Sequence, residues 1–397
     1  MRDGEPPVCG TAVLYLRTDL PEVPPTIASR RRPFVDPGGG GRMNPHVLIV
    51  GAGAIGSVTA PLVARMSVVT SITVVDGDIY SAENLESQAI GAEDVGMPKA
   101  TACVRRLRAI RPTLRVNSIE QRIEEVPLGL LRDVDVILGC VDSRESRRVL
   151  NHLAFRRGIP FIDGGVMGDL RLARVSVFDP RRKTACMECA WSQRDYAMLE
   201  QTFACGGTNA APASRSPAFL ASIAASMQVA ELERLCAGEI PDGETARELL
   251  LEARGGRLLN SKLRRNPECR FDHETWGIPD AGSVPLDLSV AELFEQTLAD
   301  ALRVDGNSFA TRFGCRCGEM EALRISTRLN GNAPACPRCG EPTQAMAYFN
   351  TDELRREVLP QSVLATPLVE AGFCESDIVR VEREGGPVCF ELKGCQP

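Results

Sequence analysis

A short apolar run that breaks into a glycine-rich turn constrains the fold of this chain more than any other feature. The stretch reads VLIVGAGAIGS and runs from Val47 to Ser57. Glycines at Gly51, Gly53 and Gly56 permit a tight turn and a close approach of the backbone to phosphate. The helix after such a turn offers free N–H groups and the positive end of its dipole. The stretch therefore predicts a strand, a phosphate-binding turn and a helix, with a glycine turn that binds no ligand as the alternative.

Strands and helices alternate from this turn to about residue 165. SITVVDGD, VDVILGCVD and IPFIDGGV read as buried strands, and MPKATACVRRLRAI and ESRRVLNHLAFRRG read as helices. This alternation predicts an α/β fold, a Rossmann-like and mostly parallel sheet flanked by helices. Further on, LRLARVSVFDP alternates like an antiparallel strand, and PAFLASIAASMQVAELERLCAG predicts a long helix that ends at Gly238.

We predict three parts in the chain. Residues 1–43 are rich in proline, glycine and arginine, which indicates a disordered N-terminal extension. Residues 44–280 contain the α/β domain. Residues 281–397 form a small zinc-ribbon-like domain that ends in a hairpin turning at Gly385 and Gly386.

Composition and charge exclude several classes of function. The chain has 397 residues, 44% of them hydrophobic and 25% charged, as in an ordinary globular protein. Its formal net charge of −6 provides no basic excess for binding phosphates, so we expect no nucleic-acid partner. No apolar run reaches the roughly 18 residues that a membrane span requires. Without a sustained apolar run after the first methionine we expect no secretory signal, and hence a cytoplasmic protein.

Fifteen cysteines point to zinc. In a reducing compartment, cysteines in close pairs bind metal more often than they form disulfides. The CMEC stretch supplies Cys186 and Cys189 at the spacing of a zinc knuckle. The GCRCGEM and ACPRCGE stretches are close to a zinc ribbon, whose ligands would be Cys315, Cys317, Cys336 and Cys339. Reduced core cysteines are the alternative interpretation.

Residues after the glycine turn distinguish ATP from a dinucleotide. Asp76 lies at the end of the second predicted strand, where a carboxylate can bond the ribose of either ligand. A lysine that neutralises phosphate and an acid that holds Mg²⁺ suit ATP, whereas a dehydrogenase needs neither. The further candidates are Asn84, Gln88, Lys99, Asp142, Arg147 and Asn151.

Together these motifs, from Val47 to about Asp280, resemble the enzymes that adenylate ubiquitin-like and sulfur-carrier proteins, among them the ThiF, MoeB and HesA proteins. The matching motifs are GxGxxG at Gly51–Gly56, D-x-D at Asp76–Asp78, N-L-x-x-Q at Asn84–Gln88, G-x-x-K-A at Gly96–Ala100, and Asp142 with Arg147 and Asn151. One position departs from the family pattern, since Ser87 stands where an arginine usually precedes the final glutamine.

The resemblance implies roles for individual residues. It places Lys99 on phosphate and Asp142 on Mg²⁺, and it makes Cys205 a candidate acceptor of the activated carrier. An ordinary surface lysine, an acid that caps the next helix, and a structural or zinc-binding cysteine are the respective alternatives. The nucleotide-binding residues that it implies are Gly51, Gly53, Ala54, Ile55, Gly56, Asp76, Asp78, Asn84, Gln88, Lys99, Asp142 and Arg147.

The family closes its zinc knuckle with a second, distant pair of ligands. The matching stretch here is NPECRFDHE, which offers Cys269 and His273. A histidine on a helix surface is the alternative for His273. Four protein ligands leave no open position for water, so both zinc sites are expected to be structural.

We therefore predict an adenylyltransferase that uses ATP, Mg²⁺ and Zn²⁺. Its substrate would be the C-terminal carboxylate of a small β-grasp carrier that ends in Gly-Gly, and the resemblance implies a homodimer. Two other functions stay open. One is an NAD-dependent oxidoreductase, and the other is a nucleotide-binding zinc scaffold without turnover, which Ser87 keeps open.

Overall fold

The computed structural model describes residues 44–204, 217–239, 246–276, 278, 281–329 and 333–394. Its first half contains the strands β1 (His46–Val50), β2 (Ser71–Val75), β3 (Arg115–Ile119), β4 (Val136–Gly139), β5 (Phe161–Met167), β6 (Leu172–Phe178), β7 (Arg247–Glu252) and β8 (Arg257–Lys262). The α-helices of this half are α1 (Gly56–Ala64), α2 (Lys99–Ile110), α3 (Arg144–Arg157), α4 (Gln193–Ala204) and α5 (Ala218–Cys236).

These strands form one eight-stranded sheet in the order β3-β2-β1-β4-β5-β6-β7-β8. The pairings from β3 to β5 are parallel, and those from β5 to β8 are antiparallel. The predicted α/β fold with a mostly parallel sheet is confirmed, as are the antiparallel strand at β6 and the long helix α5. The β7–β8 hairpin was not predicted.

Burial of β1 on both faces explains why its sequence is a continuous apolar run. Val47 and Ile49 belong to the core that includes α1, α2 and α5, whereas Leu48 and Val50 belong to the core that includes α3. Successive side chains of a strand point to opposite faces, so helices on both sides require apolar residues at every position.

The strand order reverses at β1, because β2 lies on one side of it and β4 lies on the other. Ligands of open α/β sheets bind outside the carboxyl ends of the strands at such a reversal. The glycine turn after β1, the acids after β2 and the acid after β4 therefore share one edge of the sheet.

The second half of the chain forms two smaller sheets. Its elements are β9 (Gly282–Pro285), α6 (Val290–Thr297), β10 (Ala301–Val304), β11 (Phe309–Cys315), β12 (Gly318–Ile325), β13 (Gln344–Ala345), β14 (Asn350–Thr351), β15 (Leu354–Arg355), α7 (Gln361–Leu364), α8 (Leu368–Ala371), β16 (Ile378–Glu382) and β17 (Val388–Lys393). One sheet has the order β15-β10-β16-β17-β9, and the other contains β12-β11-β13 with β14 paired to β11. The predicted terminal hairpin is confirmed as β16–β17, with Gly385 and Gly386 at positive φ. The boundary at 280/281 stays a prediction.

The C-terminal strands pack against the region around the carboxyl end of α3. Trp276 packs in one apolar cluster with Ile378 and Cys389. The Arg156 guanidinium on α3 donates to Asp305 at 2.6 Å. Among the described residues, no helix is both long enough and apolar enough to cross a bilayer.

Candidate functional site

The glycine turn after β1 is packed on one side and open on the other. A Cβ added at Gly51 would lie 2.5 Å from the Cys140 carbonyl oxygen, and one added at Gly56 would lie 1.8 Å from the Gly51 carbonyl oxygen. Gly51 also has a φ of 92°, which a residue with a side chain rarely adopts. A Cβ at Gly53 would meet nothing within 4 Å. The turn therefore presents its Gly53 face to open space, where a phosphate group fits.

The acid after β2 holds this turn in place. Asp76 accepts hydrogen bonds from the backbone N–H of Ala52 at 2.7 Å and of Asp78 at 2.9 Å. Burial raises the pKa of Asp76, although these two N–H groups and the nearby Lys99 act in the opposite direction. Each carboxylate oxygen accepts one of these bonds and keeps further acceptor capacity, which a ribose hydroxyl can use.

Lys99 begins α2 and is 9% exposed, so it is not an ordinary surface lysine. Its Nζ donates to Asp78 at 2.9 Å and lies 5.9 Å from the centre of the Tyr80 ring. The Tyr80 hydroxyl donates to the Ala52 carbonyl oxygen at 2.6 Å. The ammonium group is therefore paired with Asp78, whose N–H binds Asp76, and lies near Tyr80, whose hydroxyl binds the glycine turn.

The acid after β4 is exposed, and its carboxylate has no hydrogen-bond partner among the residues that the structure describes. Asp142 does not cap α3, because the Ser143 hydroxyl accepts the N–H of Ser146 at 2.9 Å. A carboxylate without a protein partner is available to a cation, and carboxylate oxygens are the ligands that Mg²⁺ prefers.

Arg147 fixes the backbone on which Asp142 stands. Its guanidinium donates to the carbonyl oxygens of Val141 at 2.6 Å and Asp142 at 3.2 Å, and its Nε donates to Asp163 at 3.1 Å. The Asp163 carboxylate is fully buried and also accepts from Arg174 at 2.6 Å. Most donors of Arg147 are thus used on protein oxygens.

The residues after the D-x-D motif form a short 3₁₀ helix, Ala82–Glu86. Shortly after this helix, the backbone N–H of residue 89 donates to the hydroxyl of residue 57, at the end of the glycine-rich stretch, at 2.9 Å. The Asn84 side chain accepts the N–H of Ser81 at 3.0 Å, and Ser87 follows the last residue of this helix. The side-chain oxygen of Gln88 is buried and has no hydrogen-bond partner within the described part of the chain. A buried acceptor without a donor is costly, so this oxygen favours a bound donor in the site.

Ala54 and Ile55 complete the turn in different environments. Ala54 is half-buried, whereas Ile55 is 5% exposed and lies in the core beneath the turn. The Ile55 side chain therefore packs the turn onto the sheet, and its backbone and the half-buried Ala54 remain for a ligand.

The predicted zinc knuckle and its distant partners come together. The Cys186 and Cys269 sulfurs lie 3.7 Å apart, and the Cys189 sulfur lies 3.2 Å from Nε2 of His273. All four ligand atoms lie within 4.8 Å of one another. A tetrahedral zinc with Zn–S bonds of about 2.3 Å places its sulfurs about 3.8 Å apart, so this set fits zinc. His273 lies outside any helix at a φ of 60°, which rules out the helix-surface alternative.

The predicted ribbon cysteines also come together, at the β11–β12 turn and at a second turn near Gly340. The ligand atoms lie within 4.8 Å of one another, and the Cys315 and Cys339 sulfurs are 3.9 Å apart. The full set is Cys315, Cys317, Cys336 and Cys339. Both cysteine clusters could therefore hold zinc.

Cys205 lies outside the described residues, so its predicted role stays a prediction. The helix that precedes it, α4, begins beside α3, since Arg144 pairs with Asp195. Hydrogen bonds from Ser192 and from Arg144 hold the pKa of Asp195 down to about 2.

Tyr80, Asp163 and Arg174 contribute to the site, although the sequence did not single them out. Asp163 follows the apolar residues of IPFIDGGV, as Asp76 follows its own strand, and that position was a usable signal. Tyr80 and Arg174 carry no such signal, because their partners are distant in sequence.

Comparison with known proteins assigns the first part of the chain to a family. The model of the ThiF family matches residues 42–271. The sulfur carrier protein ThiS adenylyltransferase of Bacillus subtilis is 33% identical over 148 residues, which are 36% of this chain and 43% of that protein. The SAMP-activating enzyme E1 of Haloferax volcanii is 30% identical over 135 residues, which are 33% of this chain and 50% of that protein.

A longer match is found in the molybdopterin-synthase adenylyltransferase of Escherichia coli. It is 25% identical over 229 residues, which are 56% of this chain and 85% of that protein. The chain spans half or less of the length of the first two relatives. The family model ends before the ribbon cysteines, so these lie outside the region it describes. Because the model covers more than half of the chain, this protein belongs to the ThiF family.

Proposed function

We propose that this chain is an ATP-dependent adenylyltransferase that activates the C-terminal carboxylate of a small ubiquitin-like or sulfur-carrier protein. The observation that carries the proposal is the arrangement at one sheet edge. The open face of Gly53 lies between the Lys99–Asp78 pair and Asp142. No residue that the structure describes binds the Asp142 carboxylate. An ammonium group and an available carboxylate on opposite sides of a phosphate-binding turn suit a nucleotide with a charged phosphate chain.

The names of the relatives support the same conclusion. Those of Bacillus subtilis and Escherichia coli are named as adenylyltransferases of a sulfur carrier and of molybdopterin synthase. Membership of the ThiF family also favours ATP over NAD. In addition, the dinucleotide alternative accounts for the turn and Asp76 but leaves Lys99 and Asp142 without a role.

Each residue would act by position and charge. The backbone N–H groups of the turn and the Lys99 ammonium would bind phosphate oxygens, and Asp76 would accept a ribose hydroxyl. Asp142 would hold Mg²⁺, which supplies positive charge to the phosphates when it is bound. Arg147 would keep Asp142 in place through the two carbonyl oxygens that it binds.

The adenylation step forms no covalent bond to the protein. A carboxylate oxygen of the carrier attacks the α-phosphorus of ATP, the bond to the bridging oxygen breaks, and pyrophosphate leaves with that electron pair. The products are an acyl-adenylate and pyrophosphate, so no oxidant or reductant is required. Holding the two reactants in line accounts for most of the rate that such a site can supply.

Further parts of the proposal concern Cys205, the oligomeric state and zinc. The first two rest on the family resemblance, and the zinc sites rest on the two cysteine clusters. Cys205 would then accept the acyl group as a thioester, with AMP as the leaving group and loss of the thiol proton. Two copies of the chain would form a cytoplasmic homodimer. Cys186, Cys189, Cys269 and His273 would hold one structural zinc ion, and the ribbon cysteines would hold a second. Light scattering on the purified chain tests the dimer, and metal analysis tests the zinc content.

Carrier-dependent exchange of pyrophosphate into ATP tests the proposed activity. A Gly-Gly-ending carrier encoded by the same organism, and the same carrier without its last two residues, provide the substrate and its control. Exchange with the intact carrier alone is the expected result. No exchange with any such carrier, together with a thermal shift by NAD⁺ instead of MgATP, would refute the proposal in favour of the oxidoreductase. A shift by MgATP without exchange would favour the zinc scaffold.

A further inference from the structure

A glutamine inside α5 is fully buried near the sheet edge that carries the glycine turn, and its side chain makes four hydrogen bonds. Gln228 is 0% exposed and lies on the buried face of α5, where most of the other side chains are apolar. Its Nε2 donates to the carbonyl oxygens of Gly139 at 3.0 Å and Ile162 at 2.8 Å. Its Oε1 accepts from the Thr59 hydroxyl at 3.1 Å and from the Cys140 thiol at 3.3 Å. All four hydrogen-bonding positions of the side-chain amide are therefore used.

The chemistry of the partners fixes the orientation of this amide. Gly139 and Ile162 offer carbonyl oxygens, which can only accept, so the nitrogen must face them. Thr59 and Cys140 offer a hydroxyl and a thiol on the opposite side. A flipped amide would place oxygen against oxygen at two buried carbonyls, so only one orientation is compatible with the site.

Each partner belongs to an element that shapes the nucleotide site. Gly139 ends β4, three residues before Asp142, and Cys140 is the residue against which Gly51 and Gly56 pack. Thr59 lies in the first turn of α1, directly after the glycine turn. Ile162 lies on β5, beside Asp163. One side chain therefore joins the end of β4 and the start of β5 to the helix that follows the phosphate-binding turn.

We infer that Gln228 is a positioning residue that fixes the glycine turn and the end of β4 relative to each other, and so sets the distance between the phosphate-binding backbone and Asp142. This inference rests on the proposed function, because the distance matters for activity only if the turn binds phosphate and Asp142 holds Mg²⁺. Gln228 touches no substrate, and it acts through the backbone of β4 and through α1. Its hydrogen bonds also attach α5, the helix that follows Cys205 in the sequence, to the sheet edge that carries the glycine turn.

The test compares two variants of the full chain. Gln228→Met keeps the length of the side chain and loses every hydrogen bond of the amide. Leu235→Ala is the control, because Leu235 is 2% exposed in the core beneath the same helix, about 10 Å further along its axis. Both changes disturb the core under α5, and only the first releases the end of β4 from α1 and α5.

Two measurements separate a positioning role from a loss of stability. The first is deuterium exchange of the backbone at residues 51–59 and 139–143 without nucleotide, which we expect to be faster in Gln228→Met than in Leu235→Ala. The second is pyrophosphate exchange, for which we expect kcat to fall roughly 10- to 100-fold in Gln228→Met, and by less than about twofold in the control. Equal exchange of deuterium and equal kcat in the two variants would overturn the inference.

A third variant keeps the test decisive if Gln228→Met does not fold. Thr59→Val removes one donor to the glutamine oxygen and keeps the shape of the side chain. We expect a smaller fall in kcat with the same change in deuterium exchange at residues 139–143, and wild-type values of both would overturn the inference. If the wild-type chain exchanges no pyrophosphate, the proposed function fails, and deuterium exchange still decides the role of Gln228.

Discussion

Adding one methyl group at either of two glycines in the same turn should have different effects, one on stability and the other on nucleotide binding. Neither Gly53 nor Gly56 has a positive φ, so alanine is compatible with the backbone at both positions. A Cβ at Gly56 would lie 1.8 Å from the Gly51 carbonyl oxygen and 3.3 Å from Cβ of Cys140. A Cβ at Gly53 would meet nothing within 4 Å.

The contact at Gly56 sets the size of the effect. Cβ atoms rarely come closer than 3.0 Å to another heavy atom, so the start of α1 must move away from Gly51 by more than 1 Å. Overpacking of this kind costs about 1–3 kcal/mol, against which the better helix propensity of alanine returns up to about 1 kcal/mol. For a domain of this size, each kcal/mol lowers Tm by about 2–4 °C.

Differential scanning calorimetry and titration with MgATP measure the two effects. We expect Gly56→Ala to lower Tm by several degrees, as estimated above. We expect Gly53→Ala to keep the wild-type Tm and to weaken MgATP binding by at least about tenfold, because its methyl group occupies the space that the phosphate needs. Equal Tm values for the two variants would refute the packing argument. Wild-type affinity in Gly53→Ala would refute the proposed phosphate position.

Three further predictions concern charge, pH and metal. Lys99→Met should lower the rate of pyrophosphate exchange at least about tenfold. It should change the free energy of unfolding by less than about 1 kcal/mol, because the carboxylate that pairs with Lys99 is 72% exposed. Lys262→Met on the exposed strand β8 is the control, and an equal rate in both variants would be evidence against the role of Lys99. ATP affinity should fall as pH drops through the pKa of Asp76, which burial raises above its ordinary value, because the protonated carboxyl accepts a ribose hydroxyl less well. The wild-type to Asp76→Asn affinity ratio isolates this dependence from titration of ATP, and a ratio that does not change with pH would contradict it. Elemental analysis should find two zinc ions per chain and one in either Cys186→Ser or Cys315→Ser; a full complement in both variants would argue against the two clusters as zinc sites.

Local patterns in the sequence were sufficient to predict the sheet and the glycine turn. β1 is apolar at every position because helices cover both of its faces, and the glycines must lack side chains because Gly51 and Gly56 touch neighbouring backbone. The cysteine pairs were also evident, since knuckle spacing is a local property of the chain. Joining Cys186 to His273, 87 residues apart, depended on resemblance to a family and not on the residues alone.

Contacts between distant residues were decided only by the tertiary structure. Asp142 was recognised by its position after a strand, whereas Arg147, Asp163 and Arg174 form a chain of bonds that brings three elements together. Gln228 is a polar residue on the mostly apolar buried face of α5, and its four partners lie 66 to 169 residues away. A buried amide is stable only where all of its hydrogen bonds are made, and the partners for those bonds exist only once the strands and helices have packed together.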